Sequence, residues 1–313
     1  MSRWSSQLAL ETTGATEDSA TGSLVPDVPL LHAPRTRFLS SRKRTLLVCI
    51  ITLFLLVAIV IFGRLLVLGT PAIATATDFS AKNLSPNFSH PFGTDWMGRD
   101  MLSRTLAGLS TSILVGLLAA FASAIIALVL GSIAALGPRR ADAAITWLID
   151  LMLGIPHIIL LILISFAIGK GFWGIAVGIA LTHWPNLARV IRAEVLQAKQ
   201  SIFVQQGRKL GSSPLRIARL HMVPHILPQF LVGLVLMFPH AILHEAALTF
   251  LGFGLPPEQP AIGIILSESM GYLSAGAWWL AVFPGAALVL VVLLFNGAAT
   301  ALRRLVDPLH SQE

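Results

Sequence analysis

Two histidines and a glutamate near residue 240 have the side-chain types and the spacing of a metal-binding group. His240 and His244 are four residues apart, so on a helix they lie on one face, and Glu245 follows directly. Two neutral imidazoles at this spacing can ligate Ni²⁺ or Zn²⁺. The same residues could instead form hydrogen bonds between helices, or mark a helix end near water. They are therefore candidates for contact with a ligand, and the sequence assigns no metal ligand.

Further histidines lie in or beside the apolar stretches. His157 follows Pro156, and this pair predicts a helix kink with a hydrogen-bonded histidine rather than a ligand. His183, His221 and His225 lie at other points along the chain. Ionisable groups at membrane depth usually face a cavity or another helix. His157 is thus a further candidate for contact with a ligand, and the number of histidines slightly favours a metal or a metal chelate as that ligand.

No catalytic motif accompanies these residues. The chain has no Gly-x-x-x-x-Gly-Lys-Ser/Thr loop and no Gly-x-Ser-x-Gly turn, and Leu248 stands where a His-Glu-x-x-His motif would need its second histidine. An intramembrane metal hydrolase built on His240 and His244 would lack a third ligand and the expected general base. The sequence therefore predicts a chain that is not an enzyme and binds no cofactor itself.

Composition places the chain among membrane proteins. Hydrophobic residues make up 55% of the 313 residues and charged residues only 12%, against about 25% in a typical soluble domain. The mean hydropathy is +0.78. Such a chain could not cover itself with polar side chains, which excludes a cytosolic enzyme. Cys49 is the single cysteine, so an internal disulfide framework is excluded as well.

Six apolar stretches are long enough to cross the bilayer as helices, which predicts an all-α integral membrane protein. The weakest is the fourth, which His183, Trp184 and Pro185 interrupt. The predicted spans are Leu46–Leu68, Leu106–Leu136, Ala144–Ile168, Gly174–Val190, Pro224–Leu251 and Trp278–Leu302.

The basic residues follow the loops between these spans. With six spans, 17 of the 22 lysines and arginines fall on one side and 4 on the other, and Arg64 lies within a span. An excess of basic residues marks cytoplasmic loops, so both termini are predicted to be cytoplasmic. This orientation accounts for the net charge of +7, and no nucleic-acid partner is needed.

The predicted spans divide the chain into a tail, an isolated helix, a loop and a core. The tail is polar and read as mostly disordered, with a basic end. The predicted segments are a cytoplasmic tail at 1–45, a first helix at 46–68, an extracytoplasmic segment at 69–105, a five-helix core at 106–304 with a coupling loop at 193–223, and a cytoplasmic tail at 305–313.

The loop between the fourth and fifth spans is long, basic and patterned for two helices. An apolar stripe predicts one helix; it consists of Ile191, Val195, Ile202, Phe203, Gln206 and Leu210. Gly211 fits a C-terminal cap, Ser213 an N-cap and Pro214 the first position of a second helix. The pair could lie on anionic lipid, or could dock into a groove of a cytoplasmic partner.

This loop resembles the EAA loop of ATP-binding cassette importer permeases, most nearly the C-type subunit of the dipeptide/oligopeptide/nickel group. The similar residues are 203–214, Phe-Val-Gln-Gln-Gly-Arg-Lys-Leu-Gly-Ser-Ser-Pro, followed by His221-Met222-Val223-Pro224. Two more segments match in order, His90–Arg104 before the second span and Glu245–Gly254 at the end of the fifth.

The resemblance implies a passive, pore-forming subunit of an importer in the bacterial inner membrane, with peptides or nickel and other metal chelates as cargo. The candidate pathway residues are then His157, His240, His244 and Glu245. The histidines slightly favour a metal chelate, and a peptide is at least as plausible. Its expected partners are a second permease subunit, two cytoplasmic ATPases that bind ATP and Mg²⁺, and an extracytoplasmic substrate-binding protein. Contact with the ATPase would fall on Val204, Gln205, Gln206, Gly207, Leu210, Gly211, Ser213 and Pro214. The alternative is an ion-coupled secondary transporter acting alone, which would need acidic residues at mid-span and paired broken helices.

The chain departs from the family pattern at two places. The usual Glu-Ala-Ala is here Gln205-Gln206-Gly207, which removes a charge but keeps hydrogen-bonding capacity. Trp147 stands where the family often has arginine, so Asp150 would lack that neighbour.

The segment before the second span carries two charge pairs with helical spacing. Asp95 precedes Arg99 by four residues, and Asp100 precedes Arg104 by four. This spacing predicts a surface helix with two weak ion pairs.

Overall fold

A computed structural model describes residues 35–68 and 76–306, and the outer parts of both predicted tails lie outside this range. Nearly all of the regular structure is helical, with one isolated bridge between Thr94 and Asp100 and no strand among the described residues. The predicted all-α fold is therefore confirmed. The α-helices are α1, Arg35–Leu68; α2, Met101–Leu136; α3, Arg139–Gly154; α4, His157–Ile168; α5, Phe172–Gln200; α6, Ile202–Lys209; α7, Pro214–Ile217; α8, Val223–Phe250; α9, Ile262–Leu273; and α10, Trp279–Val306.

Four of the described helical segments are long and apolar enough to cross a membrane. They are Thr45–Val67, Met101–Leu136, Ala218–Phe250 and Trp279–Arg304, and the bent pair α3 and α4 would make a fifth. The fourth predicted span lies within α5, which is continuous for 29 residues but less apolar. Because α5 is packed between α2, α4 and α8, it needs fewer apolar side chains than a lipid-facing helix.

The third predicted span is broken rather than kinked. The axes of α3 and α4 differ by 100°, and the break falls at Ile155 and Pro156. Proline has no N–H to donate and pushes the residue before it out of the helical region. Ile155 accordingly has an extended backbone, with φ −89° and ψ 135°. The break therefore follows from the local sequence and places His157 at the start of a new helix.

α2 packs along α5 at short distance, and this contact forms the centre of the bundle. A Cβ atom at Gly131 would lie 2.7 Å from the carbonyl oxygen of Ala188 and 3.1 Å from the Cβ of Ile191. The two backbones can approach this closely only because residue 131 has no side chain. Small residues thus take the place of large apolar ones where the two helices meet.

α1 lies against α2 and α10 at the edge of the bundle. It begins at Arg35, so the basic end of the predicted tail, up to residue 45, is helical and continuous with the first span. Most of its large apolar side chains are exposed, as expected for a helix in contact with lipid.

Replacing Gly131 with alanine is expected to destabilise the protein, because the new methyl group would force the backbones of α2 and α5 apart. Overpacking of this kind costs about 1–3 kcal/mol. The midpoint of thermal unfolding of the purified protein in detergent measures the effect. Gly297→Ala in α10 is the matched control, since a Cβ there meets open space. Equal midpoints for the two variants would show that α2 and α5 do not approach as described.

Candidate functional site

Three histidines from three helices form a cluster within the bundle, which we call the histidine cluster: His157 begins α4, His183 lies in the middle of α5, and His244 lies in α8. One ligating nitrogen from each ring lies within 4.8 Å of those from the other two. All three side chains are half-buried. The fold thus brings together His157 and His244, which were predicted pathway residues, and His183, which was not.

The predicted pair of His240 and His244 does not form the cluster. Both lie on α8, but His240 is exposed one turn before His244 and is not among the grouped ligand atoms. Glu245 is fully buried, and its Oε1 accepts a hydrogen bond of 2.9 Å from the hydroxyl of Thr249. Its Oε2 has no hydrogen-bond partner among the described residues. The helical spacing of His240 and His244 therefore identified one member of the histidine cluster, His244. It did not indicate His183, which lies on a neighbouring helix.

A second candidate site is the 201–217 segment, which contains α6, a short turn and α7. Gly211 has φ +75°, and the N–H of Ser212 donates to the Gly207 carbonyl at 2.9 Å, so α6 ends in a glycine cap as predicted. The Ser213 hydroxyl accepts from the N–H of Arg216 at 3.4 Å, and α7 begins at Pro214. The end of the first helix at Gly211 and the start of a second helix at Pro214 are as predicted.

The apolar stripe predicted for this region does not form one face of one helix. α5 ends at Gln200, and the extended backbone of Ser201 changes the direction of the chain before α6. Ile191 and Val195 are buried in α5, whereas Phe203 and Leu210 are 70% and 84% exposed. Ile202 is exposed as well, so the three apolar residues of the stripe beyond the break all lie on an exposed surface.

α6 is anchored to the bundle on its other side. Val204 is buried, as is Ile217 from α7. The side-chain amide of Gln205 donates to the carbonyl of Gln200 at 3.0 Å, which satisfies a carbonyl at the end of α5. A glutamate could not donate this bond, so the departure from Glu-Ala-Ala has a structural consequence.

Ion pairs hold the end of α5 that leads into this segment. Arg192 binds Asp142 of α3 through two hydrogen bonds, of 2.6 and 2.7 Å. Asp150 lacks an arginine at position 147, as expected, but Arg189 of α5 pairs with it instead. This partner lies 39 residues further along the chain, so the sequence around Trp147 did not indicate it. These pairs fix α3 to the part of α5 that carries the 201–217 segment.

The segment before α2 is a compact turn rather than the predicted helix. Asp95 is buried, and its Oδ1 accepts from the N–H groups of Met97 and Arg99 at 2.8 and 2.9 Å. Gly98 makes the turn possible, because its φ is +77° and a Cβ there would lie 1.8 Å from the Asp78 carbonyl oxygen. The pairing of Asp95 with Arg99 is confirmed, at 2.6 Å, but on a turn.

The second predicted pair is wrong, because Arg104 does not bind Asp100. Its guanidinium donates to Asp95 at 2.7 Å and to Glu268 of α9 at 2.9 Å. Asp100 instead caps α2 by accepting from the N–H of Ser103 at 2.8 Å. The buried charges thus join the turn, α2 and α9 rather than neighbours on one helix.

Asp78 lies in the exposed part of the same segment, ahead of a short 3₁₀ turn. Hydrogen bonds from the hydroxyl and the N–H of Ser80 lower the pKa of its carboxyl group below the ordinary value. Asp78 therefore stays ionised and continues to cap the turn in mildly acidic surroundings.

An apolar cavity of about 970 Å³ opens between α1, α2, α8 and α10. Its polar groups include Arg64 and Gln259, and its apolar lining includes Phe121, Phe238 and Phe295. None of the histidines that the structure describes lines it. Its lining suits an apolar group rather than an ion. No pattern in the sequence predicts this cavity, because its lining residues come from several helices.

Comparison with known proteins relates the chain to transport proteins. Residues 127–311 match the family of the binding-protein-dependent transport system inner membrane component. A Brucella suis protein named as a peptide transport system permease is 33% identical to this chain over 290 residues. The match covers 93% of this chain and 96% of that protein. The dipeptide transport system permease of Bacillus subtilis is 31% identical over 272 residues, which cover 87% of this chain and 84% of that protein.

A solved structure is similar in fold. A chain of the inward-facing MetNI methionine ABC transporter superposes with a TM-score of 0.56 at 20% identity, covering 66% of this chain and 98% of that chain. This likeness concerns the arrangement of the helices.

Replacing Arg104 with methionine is expected to loosen the segment before α2, since it removes one of the two cations that neutralise buried Asp95. Breaking a buried pair costs about 3–5 kcal/mol, and we expect the lower end because Arg99 remains. Limited proteolysis between residues 76 and 100, with the unfolding midpoint, measures the loss. Lys82→Met removes the same charge from an exposed position and should leave both readouts unchanged. Equal protection in both variants would contradict a structural role for Arg104.

Proposed function

We propose that this chain, which belongs to the family of binding-protein-dependent transport system inner membrane components, forms half of the translocation pathway of an ATP-driven peptide importer. It is a permease component of an ATP-binding cassette importer and a multi-pass inner membrane protein. Permease subunits of this family are not catalytic. The ion-coupled transporter acting alone, which the sequence had left open, does not fit this family.

The observation that carries the coupling role is the form of the 201–217 segment. Phe203 and Leu210 expose apolar surface on one side of α6. Val204 and Ile217 are buried on the side that faces the bundle. An exposed apolar helix with a fixed base suits docking into a groove of a partner protein. The predicted contact residues Val204 to Pro214 all lie in this segment, and we assign the exposed ones to the ATPase interface.

Rigidity supports the same assignment. The Gln205 amide ties α6 to the end of α5, and Arg192 and Asp142 tie α5 to α3. A push on α6 would therefore act on α5 and α3 rather than be absorbed by a loop. This requires the 201–217 segment to face the cytoplasm, as the distribution of basic residues predicts.

The partners proposed are those of a binding-protein-dependent importer. They are a second permease subunit to complete the pathway, two cytoplasmic ATPases that bind ATP and Mg²⁺, and an extracytoplasmic substrate-binding protein. The segment at 76–100 would then face the binding protein, held in place by Asp95 and Arg104.

Peptide is the proposed cargo because relatives matched over most of their length are named as peptide or dipeptide permeases. Nickel or a metal chelate is the second candidate, and the histidine cluster favours it. Neutral imidazoles are good ligands for Ni²⁺ and similar ions.

Replacing Gly211 with proline is expected to abolish transport and leave membrane insertion intact. Proline cannot adopt φ +75°, so the cap of α6 and the position of its exposed face are lost. Substrate-stimulated ATP hydrolysis and uptake by the assembled transporter in proteoliposomes measure the effect.

Gly207→Ala is the matched control within the same helix. A Cβ at this position would make ordinary contacts of 3.5 and 3.7 Å with Ile217, and alanine favours the helix by up to about 1 kcal/mol. Gly207 is half-buried and faces Ile217, so it is not among the exposed residues assigned to the ATPase interface, and this variant should transport as well as the wild type. Normal transport by Gly211→Pro would contradict the coupling role of the 201–217 segment.

Deleting the gene is expected to abolish uptake of a labelled dipeptide, and complementation with the wild-type chain should restore it. The same strain is tested with labelled Ni²⁺, with and without free histidine as a chelator. Loss of nickel uptake alone would overturn the peptide assignment in favour of a metal-chelate importer. Unchanged uptake of both would contradict both cargoes.

A further inference from the structure

The histidine cluster brings three imidazole rings into direct contact without joining them by hydrogen bonds. The ring of His157 has its centroid 4.6 Å from those of His183 and His244, and the latter two lie 5.1 Å apart. The contacts are edge-on or tilted, and no hydrogen bond links one ring to another among these described residues. The ring nitrogens are therefore close together but do not hydrogen-bond to one another.

Two of these nitrogens are buried and unpaired. The Nε2 atoms of His157 and His183 are both inaccessible to solvent, and neither has a hydrogen-bond partner among the described residues. A buried polar atom without a partner is costly, so these two atoms are free to bind a ligand at low cost. Both atoms belong to the same cluster, which indicates one ligand rather than two.

α5 itself supplies hydrogen-bond partners that favour the tautomer that His183 needs as a metal ligand. Its Nδ1 lies 3.1 Å from the carbonyl oxygen of Ile179 and 3.1 Å from the hydroxyl oxygen of Thr182, which itself donates to the Gly178 carbonyl at 3.0 Å. Because the carbonyl only accepts and the Thr182 hydroxyl already donates elsewhere, both contacts favour a proton on Nδ1 and a lone pair at Nε2, the unpaired atom. A hydrogen bond from the second ring nitrogen to a carbonyl is the usual way in which proteins orient a metal-binding histidine.

We propose that His157, His183 and His244 bind one divalent transition-metal ion through three imidazole nitrogens. This site does not depend on the cargo proposed above. Imidazole is a preferred ligand of Zn²⁺, Ni²⁺ and Cu²⁺, whereas Mg²⁺ and Ca²⁺ prefer oxygen. In a tetrahedral site, metal–nitrogen bonds of about 2.0–2.1 Å place the ligating nitrogens about 3.3 Å apart. The three nitrogens now lie within 4.8 Å of one another, so side-chain rotations that move each nitrogen by about 1 Å would bring them to this distance.

The fourth coordination position is left open by this ligand set. Glu245 is adjacent in sequence, but its carboxylate is buried beside Thr249 and is not part of the cluster. Three neutral imidazoles leave the ion with its full positive charge, so it favours an anionic fourth ligand such as a carboxylate. A peptide terminus or a chelating acid would supply that group in the pathway.

Titration of the assembled, metal-free transporter with Co²⁺ tests the site, since Co²⁺ in a four-coordinate site has intense visible absorption bands. We expect one such ion per copy of this chain, displaced by Zn²⁺. His244→Phe keeps a ring of similar size but no ligating nitrogen, and should lower the affinity more than about tenfold. His240→Phe, one turn earlier on α8 and exposed, should leave the affinity unchanged.

X-ray absorption of Co²⁺ on the wild-type transporter gives a second readout that needs no variant, and should show nitrogen ligands at histidine distances. Absence of a saturable band, oxygen-only coordination, or equal loss of affinity in both variants would overturn the proposal. Binding and transport fail separately: a transporter that moves dipeptide but binds no Co²⁺ refutes the metal site alone. One that binds Co²⁺ but moves no peptide refutes only the cargo.

Discussion

The close packing of α2 against α5 is the interaction on which the rest of the structure depends. α2 begins beside the buried Asp95–Arg104 pair, and α5 holds His183 at its middle and Arg192 near its end. Because Gly131 lets the two backbones touch, these helices form one stiff unit from the segment at 76–100 to the 201–217 segment. A displacement at either end can therefore reach the other through packed backbone and pass the histidine cluster on the way.

Departures from regular helix occur at the places to which a function is assigned. Non-helical backbone at membrane depth is tolerated only where protein or a cavity covers it, since hydrocarbon offers no hydrogen bonds. The break before His157 presents that ring to α5 and α8 instead of to lipid. Ser201 and Gly211 act at the other site, where they turn α6 out of line with α5 and end it sharply.

Local features of the structure followed the sequence closely, whereas features that depend on neighbours did not. The cap at Gly211 and the break at Pro156 were predictable, because a positive φ and a missing N–H are properties of single residues. Helical spacing predicted the pair of Asp95 and Arg99 correctly but not its setting, since Gly98 bends the chain there into a turn. It failed again for Arg104, because a buried cation binds whichever carboxylates the packing brings to it, here Asp95 and Glu268.

The sequence by itself determined the membrane class, most of the long helices, the interruptions at Pro156 and Gly211 and the order of the family's motifs, because hydropathy and backbone limits act over a few neighbouring residues. It also identified His157 and His244 as polar groups in an apolar setting. Only the tertiary structure decided that His183 joins them, that His240 stands apart, and that Asp150 pairs with Arg189. The physical reason is that the helical repeat relates residues on one helix, whereas contacts between helices depend on how closely and at what angle they pack.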